Sequence, residues 1–169
     1  MKKLFIIIFI LPIALFSITV TTISRLSVQE LLICSTDNNS YLLPASFCYC
    51  YFNNLSDLQD ADYLDQHAGL AFAFDIVPTQ RKYKILERLL TIGVDINKPA
   101  AVDGLPPLHA AILLHDAKVV QFLLNHGANI NVTDNNQHMN STQLVEYLIQ
   151  HNNTSTDLLA IQNMLIDFD

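Results

Sequence analysis

Basic residues and glycines are both scarce in this chain of 169 residues. Nine Lys and Arg stand against sixteen Asp and Glu, a formal net charge of −7, and glycine occurs four times. From Arg25 onward seven basic side chains face sixteen acidic ones, a balance of −9. Nucleic acids and anionic membrane surfaces attract positive charge, so the composition argues against both as partners. The few glycines leave little of the tight backbone that active sites use.

The motifs of common enzymes are absent as well. The sequence has no Gly-x-Ser-x-Gly, no phosphate-binding loop, no His-Glu-x-x-His and no dinucleotide fingerprint. Four aspartates between residues 57 and 65 lack the glycine and the terminal glutamate of a calcium loop, and a solvated helix face explains them better. We therefore expect no enzymatic activity, no cofactor, no metal site and no small-molecule substrate.

Two lysines and a long apolar run form the N-terminus. No charged residue separates Lys3 from Arg25, which is the layout of a secretory signal peptide or a signal anchor. The run exceeds the ~7–15 residues of a signal core and just reaches the ~17–25 residues that span a bilayer. We expect residues 1–24 to be a signal peptide or membrane anchor, and we favour an anchor retained through residues 4–23. The lysines would stay in the cytoplasm, and the rest would be exported, periplasmic or extracytoplasmic.

Residues 25–67 form a predicted helical and loop cap. Capping-box patterns at 27–30 and 56–59 predict short helices near 28–34 and 57–66, with a loop between them. The region holds all three cysteines, Cys34, Cys48 and Cys50. In an oxidising compartment Cys34 could pair with Cys48 or with Cys50, closing a loop worth ~3 kcal/mol. Unpaired thiols are the alternative, and a metal site lacks a fourth ligand.

An internal repeat dominates the C-terminal half. When residues 85–97 are placed on residues 119–131, five of thirteen positions are identical. The identical pairs are Leu89 and Leu123, Leu90 and Leu124, Gly93 and Gly127, Ile96 and Ile130, and Asn97 and Asn131. Apolar residues at this spacing predict a helix with one buried stripe. The glycines stand where such a helix ends in a left-handed residue.

The residues before the second copy resemble the ankyrin signature Gly-x-Thr-Pro-Leu-His-x-Ala. Residues 104–111 read Gly-Leu-Pro-Pro-Leu-His-Ala-Ala, with Pro106 in place of the threonine. The resemblance implies an all-α fold, a short ankyrin solenoid of helix-turn-helix units over residues 68–167. Its repeats would be 68–97, 98–131 and 132–167, behind the N-terminal hydrophobic helix and the small helical cap. In the first repeat, residues 68–77 would supply the first helix and residues 84–91 the second, with Pro78 lengthening the connection. Residues 155–166 would form the closing helix. The resemblance further implies protein binding through turn tips and first helices.

Apolar residues stand where the first helix of an ankyrin repeat usually carries charge. Leu113 and Leu114 occupy such positions, and two predictions remain open for them. They pack on residues 25–67 or on the loop around Pro78, or they line a partner site. The turn tips are residues 98–105 and 133–139. The candidate partner-binding residues are Lys98, Val102, Leu105, Ala110, Leu113, Leu114, His138 and Met139.

These features predict an exported or membrane-anchored module that binds a protein. In one hypothesis it binds and inhibits a specific partner, for example as an immunity protein for a secreted toxin. In the other it is an assembly or stabilising factor for an exported enzyme. The sequence does not name the partner.

Overall fold

Every secondary-structure element in the described part of the chain is a helix. The computed structural model describes residues 13–14, 17–36, 43–77, 79–151 and 155–168, and no strand occurs among them. The all-α prediction is confirmed for these residues. The chain divides into two compact units, Met1–Ser56 and Asp57–Asp169.

The first unit contains helical residues 17–23 and two further helices. These are α1, Val28–Cys34, and α2, Ala45–Leu55, which pack against each other. The predicted capping box is present: Ser27 accepts a hydrogen bond from the Glu30 backbone, and its own N–H donates to Glu30 Oε2 at 2.8 Å. Buried Leu31 and Leu32 of α1 and Phe52 of α2 contribute to its core.

Helix α2 lies where the sequence predicts a loop, so that prediction is wrong. Its Asn, Tyr, Cys and Ser residues are mediocre helix formers, which is why local propensity indicates a loop. Cys48 and Phe52, four residues apart, are nonetheless fully buried on one face of α2. Their burial outweighs the weak propensity, and Pro44 occupies the position that precedes the first turn.

One of the two predicted cysteine pairings is present. Cys34, the last residue of α1, forms a disulfide with Cys48 of α2, with 5.7 Å between their Cα atoms. Cys50 is free and exposed. The disulfide therefore joins the two helices of the first unit.

Within the described residues, no helix combines the length and the hydropathy required to cross a bilayer. The predicted anchor is only partly described. Residues 13–14 and 17–23 of it are helical, whereas residues 4–12, 15 and 16 lie outside the described residues.

The second unit is a stack of helix pairs. Its helices are α3, Leu58–Gln66; α4, Phe72–Ile76; α5, Thr79–Ile92; α6, Pro107–Leu113; α7, Ala117–Asn125; α8, Ser141–Gln150; and α9, Thr156–Asp167. Helix α4 packs on α5, α6 on α7, and α8 on α9. The pairs stack because α6 also contacts α8 and α7 contacts α9. Helix α3, which the sequence groups with the cap, lies in this unit against α5.

The hydrogen bonds of the stack recur at the spacing of the sequence repeat. The second helices of the first two repeats, α5 and α7, end with a glycine N–H that donates to the carbonyl three residues earlier, at Gly93 (φ +106°) and Gly127 (φ +89°). The turn tips repeat too. The Ala100 N–H donates to Leu105 O at 3.0 Å, and, one repeat later, the Asp134 N–H donates to Met139 O at 3.1 Å. The repeat seen in the sequence is therefore a repeat of backbone conformation.

The first repeat departs most from its predicted form. Its first helix, predicted within residues 68–77, is limited to the five residues of α4. Its second helix already begins at Thr79, five residues before the predicted start at Lys84. Pro78, predicted to lengthen the connection, lies outside the described residues. The closing helix, predicted over 155–166, is α9, with Ser155 as its N-cap.

Candidate protein-binding surface

Helix α6 buries one face and exposes its C-terminal end. Leu108, Ala111 and Ile112 are buried, whereas Leu113 is 43% exposed and Leu114 is 49% exposed. The helix starts with Pro107 in its first turn, where the missing N–H costs nothing. Solvent thus reaches both leucines, and a protein partner that covers them remains a prediction.

The same position of the next repeat carries another large side chain. Tyr147 of α8 occupies the position of Leu113 one repeat later and is 39% exposed. Its ring lies 4.1 Å from the His151 ring, and His151 Nδ1 is 2.8 Å from the Tyr147 carbonyl oxygen. The contact holds the tyrosine at the end of α8. Leu113 and Tyr147 therefore present two exposed anchors on successive first helices.

A groove of about 350 Å³ lies between α8 and the turn tip that opens the third repeat, residues 133–139, here called the third tip. Two predicted residues, His138 and Met139, line it. Residues of α8 that the sequence analysis missed complete it, namely Gln143, Glu146, Tyr147 and Gln150, together with Gln137 of the tip. The spacing of three to four residues along α8 places these side chains on one helical face. This spacing is the feature of the sequence that could have indicated them.

One buried carboxylate organises the third tip. Asp134 is nearly fully buried and accepts hydrogen bonds from the backbone N–H groups of Asn136 (2.8 Å), Gln137 (2.6 Å) and Met139 (3.0 Å). Burial alone would raise the pKa of Asp134, but these three backbone donors outweigh it and lower the pKa. The charged carboxylate therefore holds the tip in one conformation.

The exposed end of this tip is strained. His138 has φ +55°, in the left-handed region, and Gly104 holds the equivalent position one repeat earlier at φ +70°. A side chain in this region costs roughly 1–2 kcal/mol, which glycine avoids. An exposed residue kept at such a cost is a candidate for function.

His109 connects the first helix α6 to the third tip. Its Nε2 donates to the Met139 carbonyl oxygen at 2.8 Å, and the side chain is buried. Burial lowers the pKa of His109, although the Met139 carbonyl and the Asp134 charge oppose the shift. The ring is thus held neutral, with a structural role rather than a role in partner contact.

The second tip, residues 98–105, lies beside the third tip. The Asn135 N–H donates to Gly104 O at 3.0 Å, and Asn136 Nδ2 donates to Asp103 O at 2.7 Å. The structure thereby brings the predicted residues of the two tips together. Among the predicted residues of the second tip, Lys98 and Val102 are exposed and Leu105 is half-buried. Ala110, which lies in α6, is half-buried as well.

Among the described residues, no three His, Cys, Asp or Glu side chains are grouped so that they could hold a metal ion. The side chains of the groove beside α8 are amides, one carboxylate, one imidazole, one phenol and one thioether. Such a surface suits recognition of another molecule.

The model of the ankyrin repeat family matches residues 103–135, which span α6, α7 and the tips on either side. The chain carries an ankyrin repeat. No curated protein and no solved structure matches it. The ankyrin repeat, generally a non-enzymatic interaction module, indicates that the chain binds a protein partner.

Proposed function

We propose that this ankyrin-repeat chain is exported, is tethered to a membrane by its N-terminus, and binds and inhibits one specific protein. An immunity protein for a secreted toxin is an example of such a function. The observation that carries the proposal is the pair of exposed anchors, Leu113 and Tyr147, on successive first helices. A few side chains near the centre of an interface supply most of the binding energy, and tyrosine is enriched among them. The exposed leucine would add apolar surface that a partner removes from water.

The charge of the repeats indicates the kind of partner. Residues 57–169 contain fourteen acidic and six basic side chains, a balance of −8. Complementary charge accelerates association and excludes like-charged proteins. We therefore infer that the partner presents a basic surface around an apolar centre.

Two features support export and tethering. The uncharged run between Lys3 and Arg25 is long enough to anchor the chain. The Cys34–Cys48 disulfide is of the kind that persists in exported proteins, because reducing systems keep cytosolic thiols free.

The test introduces one charge into the proposed interface. Leu113→Glu should abolish capture of the partner from the native membrane fraction, because a carboxylate buried without a counterion costs several kcal/mol. Helical circular dichroism and melting temperature should stay near wild type, since the position faces solvent in the free protein.

Leu159→Glu is the matched control, because Leu159 of α9 is 42% exposed and lies outside the proposed interface. This variant should capture the partner as wild type does. Unfolding of Leu113→Glu would instead place the leucine in the core. Unchanged capture by a folded Leu113→Glu would place the partner elsewhere.

The captured partner also distinguishes inhibition from the alternative role in assembly. An inhibited partner should be inactive in the complex and active when released. A partner that needs this chain for assembly should lose activity or solubility when released.

A further inference from the structure

The first unit contains a groove whose walls are almost entirely apolar. It has a volume of about 310 Å³ and lies between helical residues 17–23 and α2. Val20 and Ile23 form one wall, and Phe47, Tyr51 and Leu55 form the other. The groove lies within one compact unit and is open at its surface.

The helices that form this groove expose apolar side chains and carry no charge. Phe47 is 50% exposed, Leu55 is 62% exposed, and Ile18 next to the groove is exposed as well. Helix α2 contains no charged residue, and the only charges between residues 26 and 56 are Glu30 and Asp37. A helix that faces water normally carries a charged or polar face, so water is a poor match for this surface.

Three polar side chains in these two segments donate hydrogen bonds to carbonyl groups of their own helix. The Thr21 and Thr22 hydroxyls donate to the Ile18 carbonyl oxygen at 2.9 and 2.8 Å. Asn54 Nδ2 donates to the Cys50 carbonyl oxygen at 2.7 Å. Internal satisfaction of this kind is what an environment without water requires.

We propose that the groove is filled by lipid, so that α2 lies in the interfacial layer of the membrane. The inference rests on the tether of the proposed function, because one wall of the groove is the end of the uncharged run that begins at Leu4. If the uncharged run is inserted in a membrane, the groove at its end therefore lies beside the lipid. Tyr51 and Phe47 have the amphipathic and aromatic character typical of the membrane interface.

The attraction is hydrophobic rather than electrostatic. The first unit has no Lys or Arg between residues 26 and 56, where the charged residues are Glu30 and Asp37. Anionic headgroups would repel this region, whereas neutral lipid would accept its apolar side chains. Vesicles of phosphatidylcholine are therefore the appropriate probe.

The chain contains no tryptophan, so an introduced one is a unique reporter. Phe47→Trp places it in the groove of the full chain, reconstituted into phosphatidylcholine vesicles. Its emission should shift to the blue, and brominated phosphatidylcholine should quench it, as expected for a tryptophan at the membrane interface. Tyr147→Trp is the matched control, an aromatic position of similar exposure at 39% in the repeats, and it should not be quenched.

Each remaining outcome overturns the inference in a recognisable way. Blue-shifted emission without quenching would show that protein, such as a second copy, fills the groove. Protein that floats with the vesicles but has unshifted, unquenched tryptophan emission would show that the chain is membrane-bound and that its groove faces water. Equal quenching at both positions would show that lipid contact is not specific to the groove. Failure to float would refute the tether and the lipid contact together.

Discussion

At the scale of single residues, His138 is the most informative side chain of the third tip. The backbone there is held by Asp134, which accepts hydrogen bonds from three neighbouring N–H groups. The equivalent residue of the preceding tip is Gly104, which tolerates the left-handed conformation without strain. The strain at His138 therefore leads to the hypothesis that its side chain contributes to partner binding.

Replacing His138 with glycine tests this directly. His138→Gly should raise the free energy of unfolding by up to about 1 kcal/mol, because relief of strain exceeds the added entropy of the unfolded chain. Capture of the partner should weaken in the same variant. Denaturant unfolding and the capture assay measure the two effects.

The opposite change at the preceding tip is the control. Gly104→Ala should destabilise the fold, because its Cβ would meet Asn135 Cβ at 3.0 Å at a positive φ. A loss of stability in His138→Gly would show that the imidazole contributes to the fold, and the functional argument for the strain would fail.

The ankyrin signature at residues 104–111 predicts that His109 lies in a first helix, and continuing that helix places Leu113 near its end. Neither pattern predicts the strain at His138. The conformation at His138 depends on the hydrogen bonds of a buried aspartate four residues away, and no local pattern reports them. The polar face of α8 was missed because glutamines at helical spacing also describe any solvated helix.

At the scale of elements, a helix can be predicted from the sequence when its buried residues form a regular apolar pattern. Helix α7 is predictable because its buried residues Val119, Val120, Leu123 and Leu124 follow one stripe. Helix α2 is not, because its buried face is only Cys48 and Phe52 among residues of weak helix propensity. The contact with α1 that stabilises α2 is distant in sequence and invisible to periodicity.

The buried stripe of α7 predicts that shortening one of its side chains strongly lowers the free energy of unfolding. Leu123→Ala should lower the free energy of unfolding by ~2–5 kcal/mol, because it removes a fully buried side chain from the packed helices. Thermal denaturation followed by circular dichroism measures the change. Leu159→Ala, the same substitution at an exposed leucine of α9, should change the melting temperature little. Equal melting temperatures for both variants would contradict the register of the repeat.

At the scale of the whole molecule, the thiols provide a test of the proposed export. The chain has three cysteines, of which Cys34 and Cys48 are paired and Cys50 is free. Reducing systems keep thiols free in the cytosol, so the proposed export requires that this disulfide forms where the chain matures.

Counting reactive thiols tests export. The chain expressed with its own N-terminus and denatured without reductant should react with one maleimide, and with three after reduction, as measured by mass. The Cys50→Ser variant should react with no maleimide before reduction and with two after reduction. Three reactive thiols before reduction would mean that the chain matures in a reducing compartment, and the proposed export would fail.

The recurrence of the tip hydrogen bonds has a consequence for how such a chain can grow. Ala100 with Leu105 and Asp134 with Met139 close their tips one repeat apart, and neighbouring tips hydrogen-bond to each other. A tandem duplication of one whole repeat would therefore supply each new tip with a donor, an acceptor and a neighbour. A duplication slightly shorter or longer would rotate the following helix and leave buried polar groups unpaired. The array is thus extensible in whole units only, and partner contact area can be gained by gene duplication without redesign of the core.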